Sequence, residues 1–403
     1  MVDRHGKCRD LPIYAAGRVL DARPPGLLAS TPMTDKLFTP LRLGAHTLQH
    51  RVVLAPLTRM RADPAGNVPT ALNQAYYLQR TTPGGLLITE ATPVCWQGHG
   101  HPNVPGIHTA AQVAGWRRIV DAVHARGGVI FMQLWHTGRV SHSSHQAGGA
   151  LPVGPSAIAA QGSTIDAQWQ PVPYELPRAL RTDEMPRLVQ QWRRAALNAM
   201  DAGFDGVEIH GANGYLLEQF LQSRSNQRDD QYGGSIANRC RLHLEITDAI
   251  VAAIGAQCTG IRLSPWGIAN DSGEDEPLPL YTHLVQQLAQ RRLLYLHLIE
   301  PRASGTGKAD IFREGQPSAA AMFRPLWPGV LIDAGGFDRA NALQTVQDGV
   351  ADAVAFGRSF IANPDLPRRL RLNAPLNPYH RPTFYGGGAV GYTDYPALDP
   401  AAA

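Results

Sequence analysis

Cysteine is scarce: the 403 residues include four, Cys8, Cys95, Cys240 and Cys258, and no two are spaced as Cys-x-x-Cys. A zinc or iron–sulfur site built on thiolates is thereby disfavoured, and reduced thiols in a cytoplasmic protein are the simple reading. Long apolar runs are missing as well. No stretch reaches the roughly 20 residues that span a bilayer, so a soluble protein with no membrane partner is expected. Charge of one sign is absent too: 37 Lys and Arg stand against 33 Asp and Glu, a formal +4, scattered apart from Arg368, Arg369 and Arg371. Such a distribution gives no footprint for nucleic acid.

Residues 1–32 lack a continuous hydrophobic region; Arg4, Lys7, Arg9, Arg18 and Arg23 alternate with Asp3, Asp10 and Asp21 and with prolines. That is a poor secretory signal and reads as a disordered tail or an overlong gene start. Globular patterning opens at Met33, and 33–403 reads as one domain. A dinucleotide fingerprint is also missing. The first strand-like run is followed by Ala-Pro-Leu-Thr-Arg-Met-Arg-Ala, with no Gly-x-Gly-x-x-Gly and no Gly-Lys-Ser/Thr loop, and Gly386, Gly387 and Gly388 fall beyond the last strand. A doubly wound sheet would need such a turn after its first strand.

What is present is repetition. Strand-like runs recur at 52–57, 86–92, 129–135, 204–210, 259–264, 293–299, 330–334 and 353–356. Helical patterns lie between most of them. One is predicted to start with Thr182 as N-cap, to turn Leu188, Trp192, Ala196 and Met200 inward and to stop at Gly203; another follows Ser235, with Leu242, Ile246, Ala249 and Ala253 on one face, and ends at Gly255. Eight strand–helix repeats predict an α/β fold, a (β/α)8 TIM barrel. The long Gly-, Pro- and Ser-rich interval 137–181 after strand three is read as a capping insertion over the barrel mouth. Its His142 and His145 have no carboxylate or cysteine at ligand spacing, so they read as surface histidines and no metal is expected.

A barrel gathers the carboxyl ends of its strands around one mouth, so residues distant in sequence become neighbours. Those ends carry Thr58, Gln133 and Trp135, His210, and Arg262. Strand four runs into His210-Gly-Ala-Asn213-Gly-Tyr215, where an imidazole and an amide can donate to one oxyanion and a phenol can supply a proton nearby. Strands seven and eight end in Asp333-Ala-Gly-Gly336 and Phe356-Gly357-Arg358. Loops there commonly bind phosphate through glycine N–H groups and an arginine.

Together these phrases resemble the classical branch of the Old Yellow Enzyme family of NADH:flavin oxidoreductases, or ene-reductases, from Met33 to the C-terminus. The resemblance rests on Ala55-Pro56-Leu-Thr58, Thr89-Glu-Ala91, Gln133-Leu-Trp135-His-Thr-Gly-Arg, the His210 loop, Gly260-Ile-Arg262-Leu-Ser-Pro and Phe356-Gly357-Arg358-Ser. It implies an FMN-dependent oxidoreductase with NADPH or NADH as reductant. FMN would be held by Pro56, Thr58, Ala91, Gln133 and Arg262, and its phosphate by Gly336, Gly357 and Arg358. His210 and Asn213 would polarise an enone, a nitroalkene or a nitrate ester, Tyr215 would protonate the α-carbon, and Trp135 and Tyr385 would shape the substrate cavity. Thr58 stands where another branch carries cysteine, and Asn213 where many members carry histidine. A monomer or a homodimer is compatible. The alternative, a metal-independent barrel lyase or isomerase on a phosphorylated metabolite, leaves Thr58, Gln133 and Arg262 without a role.

Overall fold

The computed structural model describes residues 35–301 and 318–399. The segment read as a tail or gene start, residues 1–32, lies outside them. Eight parallel strands close on themselves: β1 Val52–Leu54, β2 Leu86–Ile88, β3 Val129–Trp135, β4 Gly206–Gly211, β5 Thr259–Leu263, β6 Tyr295–Ile299, β7 Val330–Ala334 and β8 Ala353–Phe356. Each pairs with the next, and β8 returns to β1 through Ala355 opposite Val53. The predicted barrel is the observed fold. The runs were nearly continuous in apolar residues because every strand is covered on both faces.

Outside the strands, helices Ala110–Ala125, Met185–Asp201 and Ile236–Ile254 bury Trp116, Trp192, Leu242 and Ile246 against the barrel wall. The Met185–Asp201 helix starts differently from the prediction. A 3-10 turn at Thr182–Glu184 precedes it, the Glu184 carboxylate accepts from the Arg181 N–H at 2.8 Å, and the Thr182 hydroxyl donates to Asp230 instead of capping. Gly203 closes the helix at φ 93°, the left-handed region that glycine enters without a Cβ penalty.

Inside the barrel, a lower apolar layer holds Val53, Ile88, Val129, Phe131, Tyr295, Ile332 and Ala355, and the hairpin of Leu41–Leu43 with His46–Leu48 adds Leu43 and Leu48 to it. Two glycines make room for the largest rings. A Cβ on Gly206 would come within 2.3 Å of the Phe131 ring, and one on Gly260 within 2.3 Å of the Tyr295 ring. Above this plug, period-two alternation turns Gln133, Glu208, His210, Arg262 and His297 inward, so the barrel changes from apolar to polar toward its carboxyl end. The first two strands fall furthest short of their apolar runs: β1 stops at Leu54, and the second run splits into β2 and a short piece at Thr92–Pro93 that pairs beside β3.

The 137–181 interval is ordered. It contains an antiparallel pair, Ser163–Ile165 with Pro171–Pro173, and a parallel pair, Val153–Gly154 with Arg178–Ala179. Arg139 anchors it by donating to the Asp271 carbonyl at 2.8 Å. His145, expected at the surface, is buried with Nε2 2.8 Å from the Ile165 carbonyl oxygen, so it pins the insertion to itself. No helix among the described residues is long and apolar enough to cross a membrane.

Candidate active site

A cavity of about 760 Å³ opens at the carboxyl ends of the strands. Pro56, Thr58, Ala91, Gln133, His210, Asn213, Tyr215, Arg262, Gly336, Gly357, Arg358 and Tyr385 all line it, as do Ser163, Ile165 and Tyr174 of the insertion. Trp135 is the exception among the residues singled out from sequence. It is 1% exposed and off the cavity wall, with its ring edge-on to Tyr215 at 4.8 Å and stacked near His101 at 5.8 Å. The reason is position along the strand: Trp135 ends β3 where Pro93 pairs beside it, and Tyr215 folds over the indole. Trp135 therefore supports the phenol from behind.

The His210 loop has a rigid local frame. Asn213 at φ 60° and Gly214 at φ 74° are consecutive left-handed residues. Asn tolerates that region, whereas at Gly214 a Cβ would also stand 2.3 Å from the Ala269 carbonyl oxygen. Glu218, one turn into the following helix, gathers the loop: it accepts from the Gly214 N–H, from Ser264 Oγ at 2.6 Å and from Tyr281 Oη at 2.6 Å. Ser264 Oγ in turn accepts from the Asn213 N–H at 2.8 Å, and Asn270 Nδ2 donates to the Asn213 carbonyl at 2.9 Å. Both backbone groups of Asn213 are thus tied to the loop after β5, which leaves the Asn213 amide and the Tyr215 ring at the cavity.

Burial sets the protonation states. It holds the His210 imidazole well below its ordinary range, with the Arg262 charge acting in the same direction, so His210 is neutral and donates a single N–H. Its Nδ1 is buried without a protein partner. The Tyr215 phenol is pushed up by burial, against the opposing influence of the Asn270 amide, and stays protonated at neutral pH. Arg262 is lowered to about 10 by burial, against the pull of Glu208, and remains a cation; its Nε is likewise buried without a protein partner.

At the opposite end, Gly335 and Gly336 take φ 119° and 65°, and Gly357 precedes the short helix Arg358–Ala362. The Arg358 guanidinium lies 5.7 Å over the Tyr379 ring. Two buried arginines fold the C-terminal segment across this rim. Arg59 Nε donates to the Phe384 carbonyl at 2.8 Å and Nη2 to Gly391 at 2.9 Å, while Arg61 Nε donates to Gly388 at 3.0 Å. Those bonds bring Tyr385 to the cavity mouth.

Several lining residues escaped sequence reasoning: Met60, His101, Tyr174, Asn270, Phe337, Arg381 and Phe384. Beneath them, Glu208 and His297 form a buried pair with Nδ1 to Oε2 at 2.8 Å. The period-two alternation of β4 and β6 was the available signal for this pair, because it turns Glu208 inward with His210.

The profile of the NADH:flavin oxidoreductase / NADH oxidase family matches residues 36–377. Among curated proteins, the chain is 50% identical over 370 residues to putative 12-oxophytodienoate reductase 4 of Oryza sativa subsp. japonica, covering 90% of this chain and 93% of the relative. It is 49% identical over 370 residues to 12-oxophytodienoate reductase 1 of the same organism, with the same coverage of 90% and 93%. Among solved structures, morphinone reductase in complex with tetrahydroNAD superimposes with a TM-score of 0.84 at 47% identity, over 91% of this chain and 99% of that one.

Proposed function

Because the chain belongs to the NADH:flavin oxidoreductase / NADH oxidase family and is an FMN-dependent NAD(P)H oxidoreductase of ene-reductase type, we propose that it reduces carbon–carbon double bonds activated by a carbonyl or nitro group. The observation that carries the substrate class is a cavity on which a neutral imidazole, a carboxamide, a protonated phenol and a guanidinium converge.

The residues fit FMN. Arg262 offers a buried cation with an unpartnered Nε, Gln133 and Thr58 offer polar groups, and Gly336, Gly357 and Arg358 offer N–H groups and a charge for a phosphate at the far end. When bound, FMN supplies the hydride that reaches the alkene, having received it from NADPH or NADH. His210 and the Asn213 amide donate to the carbonyl or nitro oxygen and draw electron density away from the β-carbon. Tyr215 gives its proton to the α-carbon, and the Asn270 amide, which favours the ionised phenol, steadies the phenolate left behind. Desolvation matters in both steps: a buried neutral His210 donates without first losing hydration, and a phenol raised by burial keeps its proton until the α-carbon becomes basic. Tyr174 and the Ser163–Ile165 strand enclose the acceptor from the insertion side, and Tyr385 from the C-terminal side.

A lyase or isomerase acting on a phosphorylated metabolite would use the phosphate loops alone, leaving Gln133 and Arg262 idle, and the relatives that match nine-tenths of this chain are reductases by name. The deciding experiment is anaerobic reduction of the FMN-loaded protein with NADPH, then addition of a cyclic enone or a nitroalkene while the flavin band is followed. The band should bleach with reductant and return with either acceptor. A band that bleaches but returns only with oxygen would sink the alkene assignment.

A further inference from the structure

The roles above leave Glu208 without a task, although its position is costly. It is fully buried in the barrel, two residues before His210. A carboxylate withdrawn from water needs donors on both oxygens. Glu208 has them: Gln133 Nε2 lies 2.7 Å from Oε1 and His297 Nδ1 lies 2.8 Å from Oε2. Register explains the meeting, since Gln133 stands directly opposite Glu208 across β3 and β4, and His297 stands opposite Arg262 across β5 and β6.

Protonation follows from the surroundings. Burial alone would raise the Glu208 carboxyl, but His297, Arg262 and Gln133 outweigh it and hold the group below its ordinary range. Burial also keeps His297 below its ordinary range, against the attraction of Glu208. The pair is at ion-pair distance, yet it is an ionised carboxylate receiving the Nδ1–H of a neutral imidazole. An ionised carboxylate only accepts, so the Gln133 amide can face it only through its NH2 end. The amide oxygen is then the end left for the cavity that Gln133 lines.

We propose that Glu208 is a positioning residue, which locks the Gln133 amide so that its oxygen stands at the cavity wall as a hydrogen-bond acceptor. The inference rests on FMN being the resident cofactor. A site with a locked acceptor selects a ring whose edge carries an N–H, which FMN has at N3, over the same ring methylated there. Without the carboxylate nothing distinguishes the two orientations of the amide, and the selection fades.

The test is equilibrium binding of FMN and of 3-methyl-FMN to the full chain stripped of flavin, compared among wild type, Glu208→Gln and Glu208→Ala. Glu208→Gln keeps the volume but replaces one of the two acceptor oxygens with an NH2 donor, so the Gln133 amide can face it by either end. Wild type should bind 3-methyl-FMN about tenfold or more weakly than FMN, and in Glu208→Gln and Glu208→Ala the ratio should fall below about threefold. If the alanine variant does not accumulate, Glu208→Leu fills the volume without offering an acceptor and should behave alike. Equal affinity of wild type for both flavins, or an undiminished ratio in the glutamine, alanine and leucine variants, overturns the proposal while the cofactor reading stands. A wild type that takes up neither flavin overturns the cofactor reading itself.

Discussion

Lowering the pH from 7 to 5 should cost this protein a large part of its stability, because its interior holds histidines in the neutral form. Burial lowers His50 to about 4, with Arg371 adding to the effect. It lowers His99, His136 and His243 to about 3, with neighbouring histidine charges adding to the effect at His99. All four are 6% exposed or less. The ordinary value is 6.5, so between 6.5 and 3–4 the unfolded chain binds protons that the folded chain refuses, and stability falls with pH. Integrated from pH 7 to 5, each contributes a loss of about 2 kcal/mol.

Two buried carboxyls act in the opposite sense. Burial raises Glu90 and Glu218 to about 7, against hydrogen bonds from Arg59 to the first and from Ser264, Tyr281 and Gly214 to the second. Their folded state binds protons between 7 and 4.5 that the unfolded chain lacks, so acid returns about 2 kcal/mol for each. The balance is a net loss of about 3–4 kcal/mol, a sizeable share of the 5–15 kcal/mol typical of folded domains. His101, His108 and His145 shift in the same direction as the four histidines and deepen the loss. Urea unfolding with FMN saturating at pH 7, 6 and 5 measures it. In His243→Phe, a ring of similar size that cannot titrate, the difference between pH 7 and 5 should shrink by about 2 kcal/mol, whatever the absolute stability. A stability at pH 5 equal to or above that at pH 7 would refute the reasoning.

Three further outcomes are expected. Tyr215→Phe should leave NADPH-driven bleaching of the flavin unchanged and slow reoxidation by an enone by roughly 10²–10⁴, the usual worth of a positioned general acid, and stopped-flow absorbance reads both steps. Arg358→Ala should weaken FMN retention by about tenfold or more, as expected for losing a charge-assisted phosphate contact, measured by flavin fluorescence on dilution; unchanged retention would remove Arg358 from the phosphate site. Gly260→Ala should destabilise the protein by about 1–3 kcal/mol, because its Cβ meets the Tyr295 ring at 2.3 Å and the layer beneath the cavity must shift; a thermal midpoint equal to wild type would show that the layer yields freely.

The strand positions were readable because a barrel strand covered on both faces is a short apolar run, and the residues at the ends of such runs meet at one mouth whatever their separation in sequence. That suffices to gather Thr58, Gln133, His210, Arg262, Gly336 and Arg358 around one cavity. Trp135 shows where the reasoning stops. Alternation tells which side of a strand a residue takes, but how far up the wall it sits depends on the neighbouring chain, and Pro93 and Tyr215 move the indole off the cavity. The Met185–Asp201 helix makes the same point locally, since Thr182 has a better partner in Asp230 than in its own helix.

From its sequence alone this chain reads as a barrel with polar side chains and a phosphate site at its mouth, since periodicity and a handful of side-chain types determine both, and the reducing chemistry enters through the resemblance those phrases carry. The tertiary structure decided what those side chains are set to do. Burial neutralises His210 and keeps Tyr215 protonated, Glu218 and Asn270 hold their loop, and two arginines carry Tyr385 across the rim. Each depends on contacts between residues tens to hundreds of positions apart, and on the low dielectric that only a closed barrel provides.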